Sequence, residues 1–287
     1  MRRDFCLGSE WLYYKIYTGV KTSDYILLEK LQPIISSLEI NKIIQKWFFI
    51  RYQDPEEHIR IRFLVKNTKN IATIIQALYP IFEELLEQNL VWNIQTDTYK
   101  REIERYGKTT MIDSEFFFWK DSQMALQYIR AKPDFLTQET PLLFSFYAID
   151  SFLNSFQLSI QEKLSLMDDL QSSFKIEFKT DKEQKKEMSK SYAALYPQMN
   201  TLMTATSKNI FIVITRIVNQ KSKQTAKKAL EIKIKNEIPL ESLLASHIHM
   251  MVNRQYTSKQ RMYELIIYDH LFKYYKTKSF NTSSVLL

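Results

Sequence analysis

The chain has 287 residues, 45% hydrophobic and 14% aromatic, with a formal charge of +8; this suffices for one large domain or two packed subdomains and excludes a disordered chain. Its one cysteine, Cys6, excludes an internal disulfide framework and a cysteine-based zinc cluster, which fits a reducing compartment. No apolar run approaches the roughly 20 residues that span a bilayer, and no apolar signal region follows Met1-Arg2-Arg3, so the expected location is the cytoplasm.

Residues 11–18 are rich in aromatic residues and isoleucine, which favours a strand. Ser23 suits an N-cap, and Tyr25, Leu27, Leu28, Leu31, Ile34, Ile35 and Leu38 keep helical spacing to residue 39. Strands are expected at 44–53 and 58–66, joined through Asp54-Pro55-Glu56-Glu57 as an antiparallel hairpin. A helix over 69–88 and a fourth strand over 90–99 complete a βαββαβ order, the split βαβ or ferredoxin-like arrangement, over residues 1–110. Residues 111–287 read as helices at 113–131, 140–157, 160–174, 182–195, 207–221, 225–235, 239–254 and 258–276, with 279–287 fraying. The expected fold class is α+β, a ferredoxin-like sheet packed with a larger helical region as one unit. Lysines at 181–190 and 222–235 supply much of the positive charge and read as solvated helix faces, so charge alone chooses no partner.

Three segments can carry chemistry. In His58-Ile59-Arg60-Ile61-Arg62-Phe63, period two places His58, Arg60 and Arg62 on one face and the apolar residues on the other. Arg51 lies close to the same hairpin, and guanidinium forks suit carboxylates or phosphates. The bland alternative is an exposed face whose arginines pair with acids elsewhere. The second segment is Tyr99-Lys100-Arg101-Glu102-Ile103-Glu104-Arg105-Tyr106-Gly107, in which a helical turn stacks Arg101 on Arg105 and Glu102 on Tyr106. Gly107, one of three glycines, marks a demanding turn. A self-neutralising surface segment is the alternative here. Gly107-Lys108-Thr109 is no phosphate loop, because Glu102 stands where that motif requires glycine. The third is Ser246-His247-Ile248-His249-Met250-Met251-Val252-Asn253-Arg254, where His249 and Asn253 share one helix face and His247 and Arg254 another. His249 is an acid/base candidate. Helical i, i+2 histidines diverge and no cysteine or spaced carboxylate completes a metal site, so no metal is assigned.

Together these blocks resemble the C-terminal, glutamate-eliminating domain of lantibiotic dehydratases, also called the thiopeptide-type bacteriocin biosynthesis domain. The likeness starts at Phe5-x-x-Gly8-Ser9-Glu10-Trp11-Leu12-Tyr13 and runs through Trp47-Phe48-Phe49-Ile50-Arg51-Tyr52-x-Asp54-Pro55-x-x-His58-Ile59-Arg60-Ile61-Arg62-Phe63. It continues with Arg101 to Gly107, Glu115-x-x-Phe118-x-x-Asp121-Ser122 and Ser246-x-x-His249-Met250-x-x-Asn253-Arg254. Lys108 departs from the pattern, since many members carry a second glycine there.

The resemblance implies a lyase that expels glutamate from glutamylated Ser or Thr of a precursor peptide, leaving dehydroalanine or dehydrobutyrine. It implies a stand-alone module, with Met1 just before the eliminating domain would begin and a separate tRNA-dependent glutamylating protein as partner. A cyclase is a further expected partner; no cofactor and no direct nucleic-acid contact are expected. By the same resemblance His249 is the acid/base, and Arg62 with Arg101 or Arg105 holds glutamate and the transition-state charge. Arg51, His58, Arg60, Tyr106, Asn253 and Arg254 are the expected substrate-binding set. These groups would have to converge on one pocket sized for an amino-acid carboxylate. Rival readings are a stand-alone pyridine synthase joining two dehydroalanines, a noncatalytic docking module, and an RNA binder. Against RNA, no aromatic platform is evident beside Arg60 and Arg62, since Phe63 points the other way.

Overall fold

A computed structural model describes residues 1–135, 137, 140–204 and 211–283, the last three as backbone alone. The chain is helix-rich α+β and divides into two compact units. The first comprises Met1–Arg130, Lys235–Ile238 and Asn253–Ser258; the second comprises Ala131–Ile234, Pro239–Val252 and the chain from Lys259 on.

In the first unit, β1 (Asp4–Phe5) and β2 (Trp11–Tyr17) precede α1 (Val20–Tyr25), a π-helical turn Ile26–Leu31 and α2 (Gln32–Ile40). Then come β3 (Ile44–Gln53), β4 (Glu57–Val65), α3 (Ile71–Glu87), β5 (Asn93–Thr96), β6 (Tyr99–Lys100), α4 (Ile103–Tyr106) and α5 (Met111–Ala131). The main sheet has the order β3-β4-β2-β5, with every pair antiparallel. Register decides the faces, because directly opposed residues point the same way. Ile61 opposes Tyr14 and Phe49, and this face, with Ile59 and Phe63, is buried. The Tyr14 ring meets Phe82 of α3 edge-on at 5.2 Å. Full burial of a side chain such as Phe63 contributes about 1.5–3 kcal/mol.

The other face carries Arg62 opposite Tyr13 and Phe48, Arg60 opposite Lys15 and Ile50, and His58 opposite Tyr17 and Tyr52. Its Arg62 end is covered by α5, whose Phe118 ring lies 5.3 Å from Phe48. Ser122 of α5 clips the edge strand by accepting from Phe49 N–H at 3.1 Å. Residue 110, the expected end of the sheet half, therefore lies inside the first unit, which needs α5 to close its arginine face.

Other boundaries differ for local reasons. The first helix starts at Val20, not Ser23, because the Ser23 hydroxyl donates to Val20 O at 2.9 Å and so belongs to the turn it was expected to cap. The expected fourth strand divides at Asp97, whose carboxylate takes the Thr98 N–H; Asn93–Thr96 stays in the main sheet, and Tyr99–Lys100 pairs with Asp4–Phe5. Gly107 has φ +71°, and a Cβ there would come within 2.6 Å of the Thr110 hydroxyl. Only glycine tolerates both.

The second unit is built from α6 (Thr140–Ser155), α7 (Ile160–Glu177), α8 (Lys182–Met203), α9 (Ile212–Lys235), α10 (Leu240–Gln255) and α11 (Gln260–Ser283), apart from the ends of α9 and α10 that count with the first unit. Capping boxes Ser159/Glu162 and Asp181/Gln184 start α7 and α8. Two helices expected at 207–221 and 225–235 are one from Ile212, because Thr225 returns its hydroxyl to Lys221 O within the helix and is buried there. Residues 207–210 of that expectation lie outside the described residues, as do 284–287 of the expected frayed end; α11 continues to Ser283. The core joins α7 to α11 through Phe174 edge-on against Tyr268 at 5.0 Å. No helix among the described residues is long and apolar enough to cross a membrane.

Candidate functional site

Arg62 is a buried and sparsely hydrogen-bonded charge of the first unit. It is 8% exposed, its Nε has no hydrogen-bond partner, and no acid pairs with it among the described residues. Three rings hold the guanidinium instead: Tyr13 at 4.2 Å, Tyr99 at 5.0 Å and Phe48 at 5.2 Å. Cation–π contacts offset part of the desolvation. Burial still pushes Arg62 below its ordinary pKa. A guanidinium in this condition can attract an anion.

Tyr99 links Arg62 to Arg101. The Tyr99 hydroxyl donates to Glu115 Oε1 at 3.0 Å, and Arg101 grips both oxygens of the same carboxylate, Nε to Oε1 at 2.6 Å and Nη2 to Oε2 at 2.8 Å. Burial, then the Glu115 charge, pushes Tyr99 well above its usual pKa, so its hydroxyl stays a donor. The Arg101 fork, expected to hold substrate, is thus occupied by a carboxylate that is itself 1% exposed. Arg105 is largely exposed and pairs only loosely with Glu102, at 3.2 Å. Tyr106 is buried edge-on against Phe118 at 4.8 Å, and burial raises its pKa.

Arg51 is buried and committed on all sides: Nε donates to Arg254 O at 3.1 Å, Nη1 to Ser23 Oγ at 2.6 Å and Nη2 to Asp24. Asn253 exchanges two hydrogen bonds with the Arg51 backbone, at 2.9 and 2.8 Å, closing an otherwise open strand edge. Arg254 is buried with its Nε on Ser122 Oγ at 3.2 Å and its guanidinium over Phe118 at 5.5 Å. A recess beside Arg51 and His58 measures about 10 Å³, room for roughly one water and no amino acid. Arg51 and Asn253 hold the fold together here.

At the hairpin end, His58 Nδ1–H donates to Glu56 O at 2.8 Å while Nε2 accepts from Arg60 Nε at 3.0 Å. A carbonyl only accepts and a guanidinium only donates, so the ring is neutral, in agreement with burial lowering its pKa. Arg60 lies over the Tyr52 ring at 3.3 Å. Aromatic residues do share the arginine face, contrary to the sequence reading: Tyr13, Phe48, Tyr17 and Tyr52 come from neighbouring strands, whose register a single strand's alternation cannot reveal.

The second unit holds His249. Its side chain is 31% exposed, and Nδ1 lies 2.8 Å from Glu264 Oε1. Glu264 is 1% exposed; it also accepts from Tyr268 OH at 2.8 Å on Oε1 and from Arg261 Nη1 at 3.2 Å on Oε2. Sequence reasoning missed Glu264, Glu115 as the Arg101 partner, and the ring box around Arg62. Glu115 stood in a recognised block without a role, whereas Glu264 gave no local signal, being on another helix. A cavity of about 490 Å³ in the second unit, lined by Phe135, Pro197, Phe211 and Ile214 among others, includes none of the expected site residues.

A family model for the lantibiotic biosynthesis dehydratase C-terminus matches residues 11–275. The subtilin biosynthesis protein SpaB of Bacillus subtilis is 27% identical over 176 residues, 58% of this chain and 16% of SpaB. The nisin biosynthesis protein NisB of Lactococcus lactis subsp. lactis is 29% identical over 127 residues, 43% of this chain and 12% of NisB. The matches thus cover a small part of these relatives' length. Among solved structures, the tRNA-dependent lantibiotic dehydratase MibB from Microbispora sp. 107891 superposes with a TM-score of 0.76 at 18% identity, over 96% of this chain and 29% of MibB. TbtD, a pyridine synthase from thiomuracin biosynthesis, superposes at 0.65 with 11% identity, over 94% of this chain and 100% of TbtD. These two likenesses speak for the fold alone. With the family model spanning both units, the chain belongs to the lantibiotic biosynthesis dehydratase C-terminal family.

Proposed function

We propose that this protein is a lyase of ribosomal-peptide biosynthesis that eliminates glutamate from glutamylated Ser or Thr residues. The observation that carries the reading is Arg62, a buried guanidinium among rings that pairs with no acid among the described residues. In this reaction a base removes the Cα proton, the C–H electron pair forms Cα=Cβ, and the Cβ–O bond breaks with glutamate leaving as a carboxylate. Charge grows on the ester-side oxygens as the bond breaks, and a preorganised cation in a dry site stabilises that charge more than the ground state. Arg62 supplies the cation, with Arg105 as the accessible second arginine. His249, partly exposed and hydrogen-bonded through Nδ1, supplies the base; positioned acid–base groups contribute about 10²–10⁴ in rate.

The reading carries partners with it: a precursor peptide and a separate tRNA-dependent glutamylating protein, all in the cytoplasm. The order β3-β4-β2-β5 and two intervening helices support naming the first unit a ferredoxin-like βαββαβ sheet. A second reading, pyridine synthesis, is favoured by the full-length coverage of TbtD.

Incubation of the purified chain with a glutamylated peptide separates the two. Elimination gives free glutamate and a dehydrated product, lost in folded His249→Ala. An intact ester, with turnover of a dehydroalanine-rich peptide instead, would establish the second reading; an intact ester with neither turnover would reject both.

A further inference from the structure

His249 is one of four histidines, and a free neutral imidazole prefers to carry its proton on Nε2. That tautomer cannot accept a proton at Nε2, the nitrogen that Glu264 leaves unoccupied. Glu264 changes the balance. Its Oε1 lies 2.8 Å from His249 Nδ1, and Oε1 also receives the Tyr268 hydroxyl at 2.8 Å. Burial, then the Glu264 charge, holds Tyr268 well above its usual pKa, so Tyr268 remains a donor and Glu264 cannot turn that oxygen elsewhere without stranding the hydroxyl. Arg261 secures the second oxygen at 3.2 Å and is itself held by Glu177 and by the Phe174 ring at 4.0 Å. The carboxylate is 1% exposed, so water does not compete for it. A buried, triply engaged carboxylate aimed at one imidazole nitrogen fixes both ring orientation and tautomer.

We propose that Glu264 is the positioning residue for His249: it holds the proton on Nδ1, presents the Nε2 lone pair for proton abstraction, and balances the imidazolium that results. This rests on the reading of His249 as the base. The proton leaves the substrate Cα for Nε2, the C–H pair becomes the new double bond, and glutamate departs with the Cβ–O pair; Glu264 neither gains nor loses a proton. Replacing a positioning carboxylate that sets a tautomer costs up to about 10⁴ in turnover in the Ser-His-Asp precedent.

The test is ¹⁵N-detected imidazole NMR on the full chain, with His249 signals assigned by their loss in His249→Gln. In the wild type His249 is expected as the Nδ1–H tautomer; in Glu264→Met, which keeps the volume and removes the acceptor, it shifts towards Nε2–H. Turnover of a glutamylated peptide falls at least about 10²-fold in that variant with KM little changed. Tyr268→Phe keeps Glu264, and therefore keeps the Nδ1–H tautomer. A wild-type Nε2–H tautomer overturns the proposal, as does a folded Glu264→Met with unaltered spectrum and rate. If Glu264→Met fails to fold, the wild-type and Tyr268→Phe spectra decide alone. The expected tautomers without any glutamate release would reject the eliminating function and leave the Glu264 role intact.

Discussion

Two arginines four residues apart in sequence have opposite standing. Arg101 and Glu115 form a buried bidentate pair, and removing one partner strands the other charge in the interior. Arg101→Ala is expected to cost about 3–5 kcal/mol in urea unfolding. Arg105→Ala, which breaks only an exposed pair, should change stability by less than about 0.5 kcal/mol. Equal losses in the two variants would contradict this assignment. It follows that lost activity in Arg101→Ala is uninformative unless folding is measured beside it, whereas lost activity in Arg105→Ala would not be explained by unfolding. The sequence told these residues apart poorly, because Glu115, the group that decides between them, sits in α5 beyond the Gly107 turn. The alternation of His58, Arg60 and Arg62 against Ile59, Ile61 and Phe63 was readable without coordinates. That Tyr13 and Phe48 flank Arg62 was not, since it depends on pairing strands distant in the chain.

Helices and strands were legible where apolar period was strong, as in β3, β4 and α3, and less so where polar side chains satisfy their own backbone. Ser23 and Thr225 both look like helix punctuation, yet both return their hydroxyls to a preceding carbonyl. Between α7 and α11, Asp269 is 0% exposed and gathers Lys175 at 2.6 Å and Lys273 at 2.7 Å. Burial acts to raise its pKa, but the neighbouring His270 ring, the Lys175 hydrogen bond and the Lys273 ion pair outweigh it and hold the carboxyl far below the usual range. With the folded pKa depressed, the stabilisation is complete above the unfolded value, near 3.9, and is lost as pH falls through the folded one. Acid unfolding of the wild type should therefore steepen below about pH 4, and Asp269→Asn should flatten that limb. An unchanged acid slope in the variant would show that α7 and α11 do not depend on this cluster.

Across the molecule, the family was readable from blocks spread over nearly the whole chain, and the family model over residues 11–275 agrees. Less was legible of the division of labour. Arg51, Arg101 and Asn253 stand in the recognised blocks as Arg62 does, but their hydrogen bonds are spent inside the first unit, and a sequence block cannot separate an arginine paired in this way from one that is not. Arg62 is where stability and function should part. A buried guanidinium without a counter-charge is costly, and a methionine among Tyr13, Phe48 and Tyr99 is not. The most direct test compares Arg62→Met with the wild type for glutamate release from a glutamylated peptide and for thermal unfolding. The expected result is at least about a 10²-fold slower release with Tm unchanged or higher. Release at the wild-type rate from a folded Arg62→Met protein would contradict the account.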